Sequence, residues 1–259
     1  MALGSAERVG WIDTLKVLAG ILMLIDHSAV FVGGVPDWVR LYATRCVEPL
    51  YAFAFFYLLS LRGKRIRLRR WLSLVVAAAA ECLIFSWRYE TLTFGILANL
   101  AVVAPLFESI RRKGIGTRAA TVCVSGALSA LPLSFSGVVA IDYGVPLLLS
   151  QGLIAHAAFL RADLFRISLS QFGGLLLGIC LARIVGLGLS PNCLTVLVGQ
   201  PVAMTLIATL RGLRLGRPIG LAARIIVGHP LTFYLGHLAL LAAVAWVYRN
   251  LMEPISAGS

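Results

Sequence analysis

Apolar runs of about twenty residues follow one another along the whole chain, each closed by a basic cluster or a short turn. The hydrocarbon core of a bilayer is about 30 Å thick, which about 20 apolar residues span as a helix. The pattern therefore predicts about nine transmembrane helices. Their approximate bounds are Trp11–Gly34, Val39–Leu61, Trp71–Ser86, Leu92–Ile110, Thr117–Leu133, Val138–Leu160, Ile167–Leu189, Cys193–Leu210 and Ile225–Tyr248. Arg62, Lys64, Arg65, Arg67, Arg69 and Arg70 follow the second run, and Arg111, Arg112 and Lys113 the fourth. Arg161 and Arg166 follow the sixth, and Arg211, Arg214, Arg217 and Arg224 the eighth. The intervening turns are nearly neutral. Under the positive-inside rule the basic loops and the N-terminus are cytoplasmic and the C-terminus is outside.

Composition agrees with this pattern. Hydrophobic residues make up 59% of the 259 and charged residues 13%, with a mean hydropathy of +0.91. Soluble domains carry about 25% charged residues, so the expected class is an all-α polytopic membrane bundle, one domain over residues 1–259. The formal charge of +12 sits in short loops between apolar runs, which is topology-setting charge and not a nucleic-acid surface. Cys46, Cys82, Cys123, Cys180 and Cys193 stand singly, without metal or redox spacing, and no metal is expected. The first apolar run holds four ionisable residues, and no cleavable leader is expected there.

The candidate chemistry lies in that first run. Asp13, Lys16, Gly20, Met23 and His27 step by three or four and form one helical stripe. Lys16 and His27 fall on nearly one face about 16 Å apart, and Gly20 leaves the stripe shallow between them. The expectation is a path from the inner surface to a buried imidazole. Counting depth along each predicted helix puts Asp26, His27, Arg45, Glu81, Asn99, Asp142 and Arg183 in the outer half. Gln200 and His237 fall near mid-depth. Charges at such depths are costly alone, so pairing in a shared cavity is expected. A salt-bridge network joining helices would gather the same residues. His156 and His229, near inner helix ends, read as interfacial.

Lys16 and His27 in KVLAGILMLIDH resemble the Lys/Arg-x10-His signature of the acyltransferase-3 superfamily of membrane acyltransferases. MLIDH is similar to its TraX branch, associated with N-acetylation of pilin. TRCVEPLYAFAFFYLL resembles that branch's arginine-containing second helix, Asp142-Tyr143-Gly144 its Asp-Tyr-Gly element, and FYLGHLALL its closing histidine motif. Two positions depart from the pattern: Glu48 precedes Pro49 where the family has an aromatic or small residue, and Gly236 replaces a proline.

The resemblance implies a bacterial inner-membrane acetyltransferase with acetyl-CoA as donor and an extracytoplasmic acceptor, a pilin N-terminus or a surface glycan. His27 would be general base or acyl carrier. Asp26 is about 100° around the helix from it, which leaves Glu81 or Asp142 to orient the ring. Lys16, Gly20, Arg65 and Arg67 would hold the donor. Arg45, with Asn99, Arg183 and His237, would face the acceptor or a developing oxyanion. Two other classes use the same features: a transporter or flippase with a coupled ionisable site, and a non-catalytic assembly factor for pili or envelope. Paired broken helices in inverted repeats would mark transport, and the sequence shows none.

Overall fold

The computed structural model describes residues 7–36, 38–39, 44–62, 66–131, 139–141, 144–160, 164–190, 193, 195–213 and 220–251. These form α1 (Glu7–Phe31), a 3-10 turn (Thr44–Cys46), α2 (Val47–Arg62), α3 (Leu68–Tyr89), β1 (Leu92–Phe94), α4 (Ile96–Ile110) and α5 (Ile115–Ala130). After them come β2 (Val139–Ile141), α6 (Val145–Leu160), α7 (Leu164–Ile184), a π-helical turn (Thr195–Gly199), α8 (Gln200–Gly212), α9 (Leu221–Gly228) and α10 (Pro230–Leu251). Among the described residues the fold is all-α except for β1 and β2, which pair in parallel with Thr93 opposite Ala140.

Three helices are long and apolar enough to cross a membrane: Gly10–Phe31, Leu164–Ile184 and Pro230–Asn250. Four shorter apolar helices, Val47–Leu61, Ile96–Ile110, Val145–Leu160 and Thr195–Arg211, accompany them. At 1.5 Å per residue, helices of 15 or 16 residues reach about 24 Å, less than the hydrocarbon core. α3 is 22 residues long but carries Arg69, Arg70, Glu81 and Arg88. These lengths and charges are why nine full spans do not appear. The ninth expected run also breaks at His229, between α9 and α10, ahead of Pro230. Pro230 lacks the N–H that would continue the helix across that point.

Neighbours along the chain alternate in direction. Trp11 packs its ring edge on Tyr57, 5.2 Å between centroids, so the start of α1 meets the end of α2. The Arg88 guanidinium donates to the Val30 carbonyl at 2.9 Å, bringing the final turns of α1 and α3 together. α1 and α3 are therefore parallel. α5 and α7 are parallel too and in backbone contact: a Cβ at Gly174 would strike the Cys123 carbonyl, and one at Gly178 the Ala127 carbonyl. Such a seam admits only residues without a side chain, as in other close helix pairs within bilayers. The main core lies among α1, α2, α4, α6 and α10, with Leu50, Phe56, Leu97, Leu100, Phe107, Leu148 and Leu153 fully enclosed. Large apolar side chains such as Val76, Leu83, Phe165, Leu176 and Leu240 point outward. An exposed apolar belt of that size suits lipid as solvent.

Candidate functional site

His27 and His237 meet from α1 and α10, near the two ends of the chain. His27 Nδ1 is 2.7 Å from His237 Nε2, and the rings stack at 14° with centroids 4.9 Å apart. His237 Nδ1 lies 2.9 Å from the Phe233 carbonyl, one turn earlier in α10. A carbonyl only accepts, so His237 Nδ1 carries a hydrogen and, with both rings neutral, its Nε2 is an acceptor. His27 Nδ1 must then donate to it. That leaves the lone pair on His27 Nε2, to which no hydrogen bond is made among the described residues. The relay Phe233 carbonyl–His237–His27 fixes both tautomers.

Phe85 and Tyr234 close round the pair. Both rings meet His27 edge-on, with centroids 5.7 and 5.6 Å away. The Tyr234 hydroxyl donates to one oxygen of Glu81, and the Leu97 backbone N–H donates to the other at 2.9 Å. Gly95 opens α4 without a side chain that could cap it. The fully buried Glu81 reaches across from α3 into that place, where the unsatisfied N–H groups of a helix start favour a carboxylate. A Cβ on Gly95 would overlap the carboxylate, so the glycine is what admits it. Asn99, also buried, donates from Nδ2 to the Gly95 carbonyl at 3.0 Å and braces the same turn.

Beside this cluster lies a cavity of about 540 Å³ between α2, α3, α4 and the start of α10. Arg67 and Arg70 stand at the end next to the α2–α3 connection, and Tyr51, Leu97, Leu100 and Leu231 also line it. Leu97 is the residue whose N–H holds Glu81, so the cavity reaches the shell of the carboxylate. Trp71 lines the wall with its indole N–H committed to the Ala101 carbonyl at 2.9 Å.

The structure thus joins His27, His237, Glu81 and Asn99, and it separates other expected residues. The stripe below His27 is not a groove: Ile226 and Phe233 fill the space over Gly20, 3.1 and 3.4 Å from where a Cβ would stand. Lys16 is paired with Asp13 on its own helix at 3.2 Å. The open space lies instead between α2, α3 and α4, where Arg67 stands. Asp26 is half-buried and makes no hydrogen bond with His27 among the described contacts. Arg45 sits in the 3-10 turn with its carbonyl against Gly199. Arg183 is exposed near the end of α7, because Ala182 takes the inward position there. Asp142 and Arg65 lie outside the described residues.

His229 is exposed at the break before α10. His156 is buried and hydrogen-bonded to Ser60 at 3.0 Å within the α2–α6 packing. A second buried chain links α6, α7 and α8: Gln171 donates to Ser150 at 2.8 Å, and Gln200 donates to Gln171. Tyr234 and Tyr51 were missed in the sequence. Tyr234 precedes His237 by three, a spacing that puts both on one helical face and could have signalled the first. Tyr51 is one of several aromatics in α2, and only the fold distinguishes it.

No family model matches the chain, and no curated protein or solved structure matches it either.

Proposed function

We propose that the chain is a membrane-embedded acyltransferase that takes an acetyl group from cytosolic acetyl-CoA and transfers it to an amine or hydroxyl of an extracytoplasmic acceptor. The observation that carries this reading is the hydrogen-bond relay ending on His27, which presents an unprotonated ring nitrogen inside a helical bundle. A general base needs a ring nitrogen with a free lone pair and a held orientation, and the relay supplies both. The motif resemblance of Lys16–His27 and of the His237 segment points to the same chemistry. In the proposed topology the N-terminus and basic loops are cytoplasmic in a bacterial inner membrane, with about nine helical segments crossing or entering it.

The donor's phosphates rest on Arg67 and Arg70, and its pantetheine arm runs along the cavity towards Leu97 and Tyr51. The acceptor reaches His27 from the outer side. His27 Nε2 takes the proton of the acceptor N–H or O–H as the freed lone pair attacks the thioester carbon. When the carbon–sulfur bond breaks, the same nitrogen returns that proton to the leaving thiolate. Buried Glu81 joins the two regions, accepting from the N–H of Leu97, which lines the cavity, and from the hydroxyl of Tyr234, which packs on His27.

The test uses purified protein in detergent with acetyl-CoA and hydroxylamine as a small surrogate acceptor. Wild type releases CoA thiol and forms acetylhydroxamate. His27→Ala, with an unchanged melting temperature, forms none above the uncatalysed rate. A folded His27→Ala variant at wild-type rate overturns the role of that imidazole, and an inactive wild type overturns the activity.

A further inference from the structure

From the cavity wall we infer that Tyr51 is a further catalytic residue, whose phenolic hydroxyl holds the thioester carbonyl and the oxyanion it becomes. The inference rests on the acyl-transfer reading above. Thioester attack places a full negative charge on the former carbonyl oxygen, and such sites supply a preorganised donor for it. The cavity's lining contains few groups able to donate. Arg67 and Arg70 are at the loop end, next to Ile66 in the connection between α2 and α3. The Trp71 indole N–H is already given to the Ala101 carbonyl. The other lining residues, among them Phe55, Leu59, Leu74, Leu97, Leu100 and Leu231, carry no polar side-chain atom.

Tyr51 alone among the lining residues combines an uncommitted hydroxyl with a place near the catalytic cluster. It makes no hydrogen bond among the described residues, whereas Tyr234 is committed to Glu81. Leu97, which lines the same cavity as Tyr51, holds the Glu81 carboxylate through its backbone N–H, so the cavity wall that carries Tyr51 adjoins the cluster. Leu50, just before it in the first turns of α2, is fully enclosed in the packed core. In a setting this apolar, a single directed O–H is worth far more than in water.

The balance of the step is simple. The nucleophile's lone pair forms the new bond to carbon, the carbonyl π pair moves to oxygen, and the Tyr51 O–H donates a hydrogen bond without giving up its proton. Collapse of the oxyanion expels the CoA thiolate, which takes the proton held by His27.

Tyr51→Phe removes the donor and keeps the ring. With acetyl-CoA and hydroxylamine as probes, kcat should fall about 100-fold while the KM for acetyl-CoA stays within about twofold. The wild-type melting temperature should be kept. If that variant fails to fold, site-specific 3-fluorotyrosine at position 51 keeps the ring and sharpens the hydroxyl as a donor, and kcat should change with it. An unchanged kcat in folded Tyr51→Phe, or in the fluorinated protein, overturns the assignment. So does a loss confined to KM, which would make Tyr51 a binding contact. If wild type forms no acetylhydroxamate, the acyl-transfer reading falls, and that outcome is distinct from an active wild type matched by its Tyr51→Phe variant.

Discussion

His27 and His237, 210 positions apart in the chain, stack at 14° and share a 2.7 Å hydrogen bond. The contact closes the bundle by joining its first and last helices. It also makes each ring's hydrogen placement depend on the other, since the Phe233 carbonyl fixes His237 and His237 fixes His27. Replacing His237 with Ala frees the His27 ring to turn and to take the other tautomer. Acetylhydroxamate formation should then fall by about 100-fold or more, a typical general-base contribution. His237→Gln, whose side-chain oxygen can still accept from His27 Nδ1, should recover part of that loss. Equal rates in the two variants would mean that the second ring contributes bulk and not orientation.

Glu81 and Gly95 make a second, sharper test. The carboxylate occupies the space of a missing Cβ while capping α4 through the Leu97 N–H. Gly95→Ala forces it out of a fully enclosed place, where overpacking costs about 1–3 kcal/mol. The variant should unfold at a lower temperature in detergent and lose turnover together with stability. Glu81→Gln keeps the shape and removes the charge, so it should perturb the melt less than Gly95→Ala does. A Gly95→Ala protein as stable as wild type would show that Glu81 is not held where it is drawn.

Much of this was readable before any coordinates, and the unread part has a common cause. The apolar runs located α1, α3, α5 and α7 to within about five residues, because long apolar runs between basic clusters have few alternatives, whereas the sixth run took in the strand Val139–Ile141 ahead of α6. The pattern singled out His27, His237, Glu81 and Asn99, since ionisable or amide groups in such runs must find partners. It could not say which partners. The Lys16–Gly20–His27 stripe looks open on one helix in isolation, yet α9 and α10 cover it with Ile226 and Phe233. Arg183 looked deep by counting, but position along a helix gives depth and not facing, and the inward residue there is Ala182. Tyr51 and Tyr234 carried no charge to draw attention, and their roles come wholly from tertiary neighbours.

The α5–α7 seam tests the fold apart from any chemistry. Gly174 lies against the Cys123 carbonyl and Gly178 against that of Ala127, with no room for a methyl at either position. Gly174→Ala must push the two backbones apart, at about 1–3 kcal/mol. For a chain of this size that is about 2–4 °C in melting temperature per kcal/mol. Gly173→Ala, one residue away and facing open space, is the control and should melt as wild type does. Both proteins should keep their acetylhydroxamate rate at low temperature, because the seam is remote from the histidine pair. A Gly174→Ala melt that coincides with the control would refute the close approach of the two helices.

Arg67 and Arg70 separate donor binding from the chemical step. Both line the loop end of the cavity, and a phosphate there gains charge-assisted hydrogen bonds in both the ground state and the transition state. Interactions of that uniform kind set KM and leave kcat alone. Arg70→Ala should therefore raise the KM for acetyl-CoA about tenfold, roughly 1.4 kcal/mol of binding, with kcat unchanged. Arg67→Ala,Arg70→Ala should raise it further and also weaken binding of free CoA, measured by calorimetry. Lys16→Ala is the informative contrast. Its ammonium is held by Asp13 on a face that α9 and α10 cover, so its KM should stay near wild type. A donor KM that rises with Lys16→Ala and not with the two arginines would return the entry path to the face of α1.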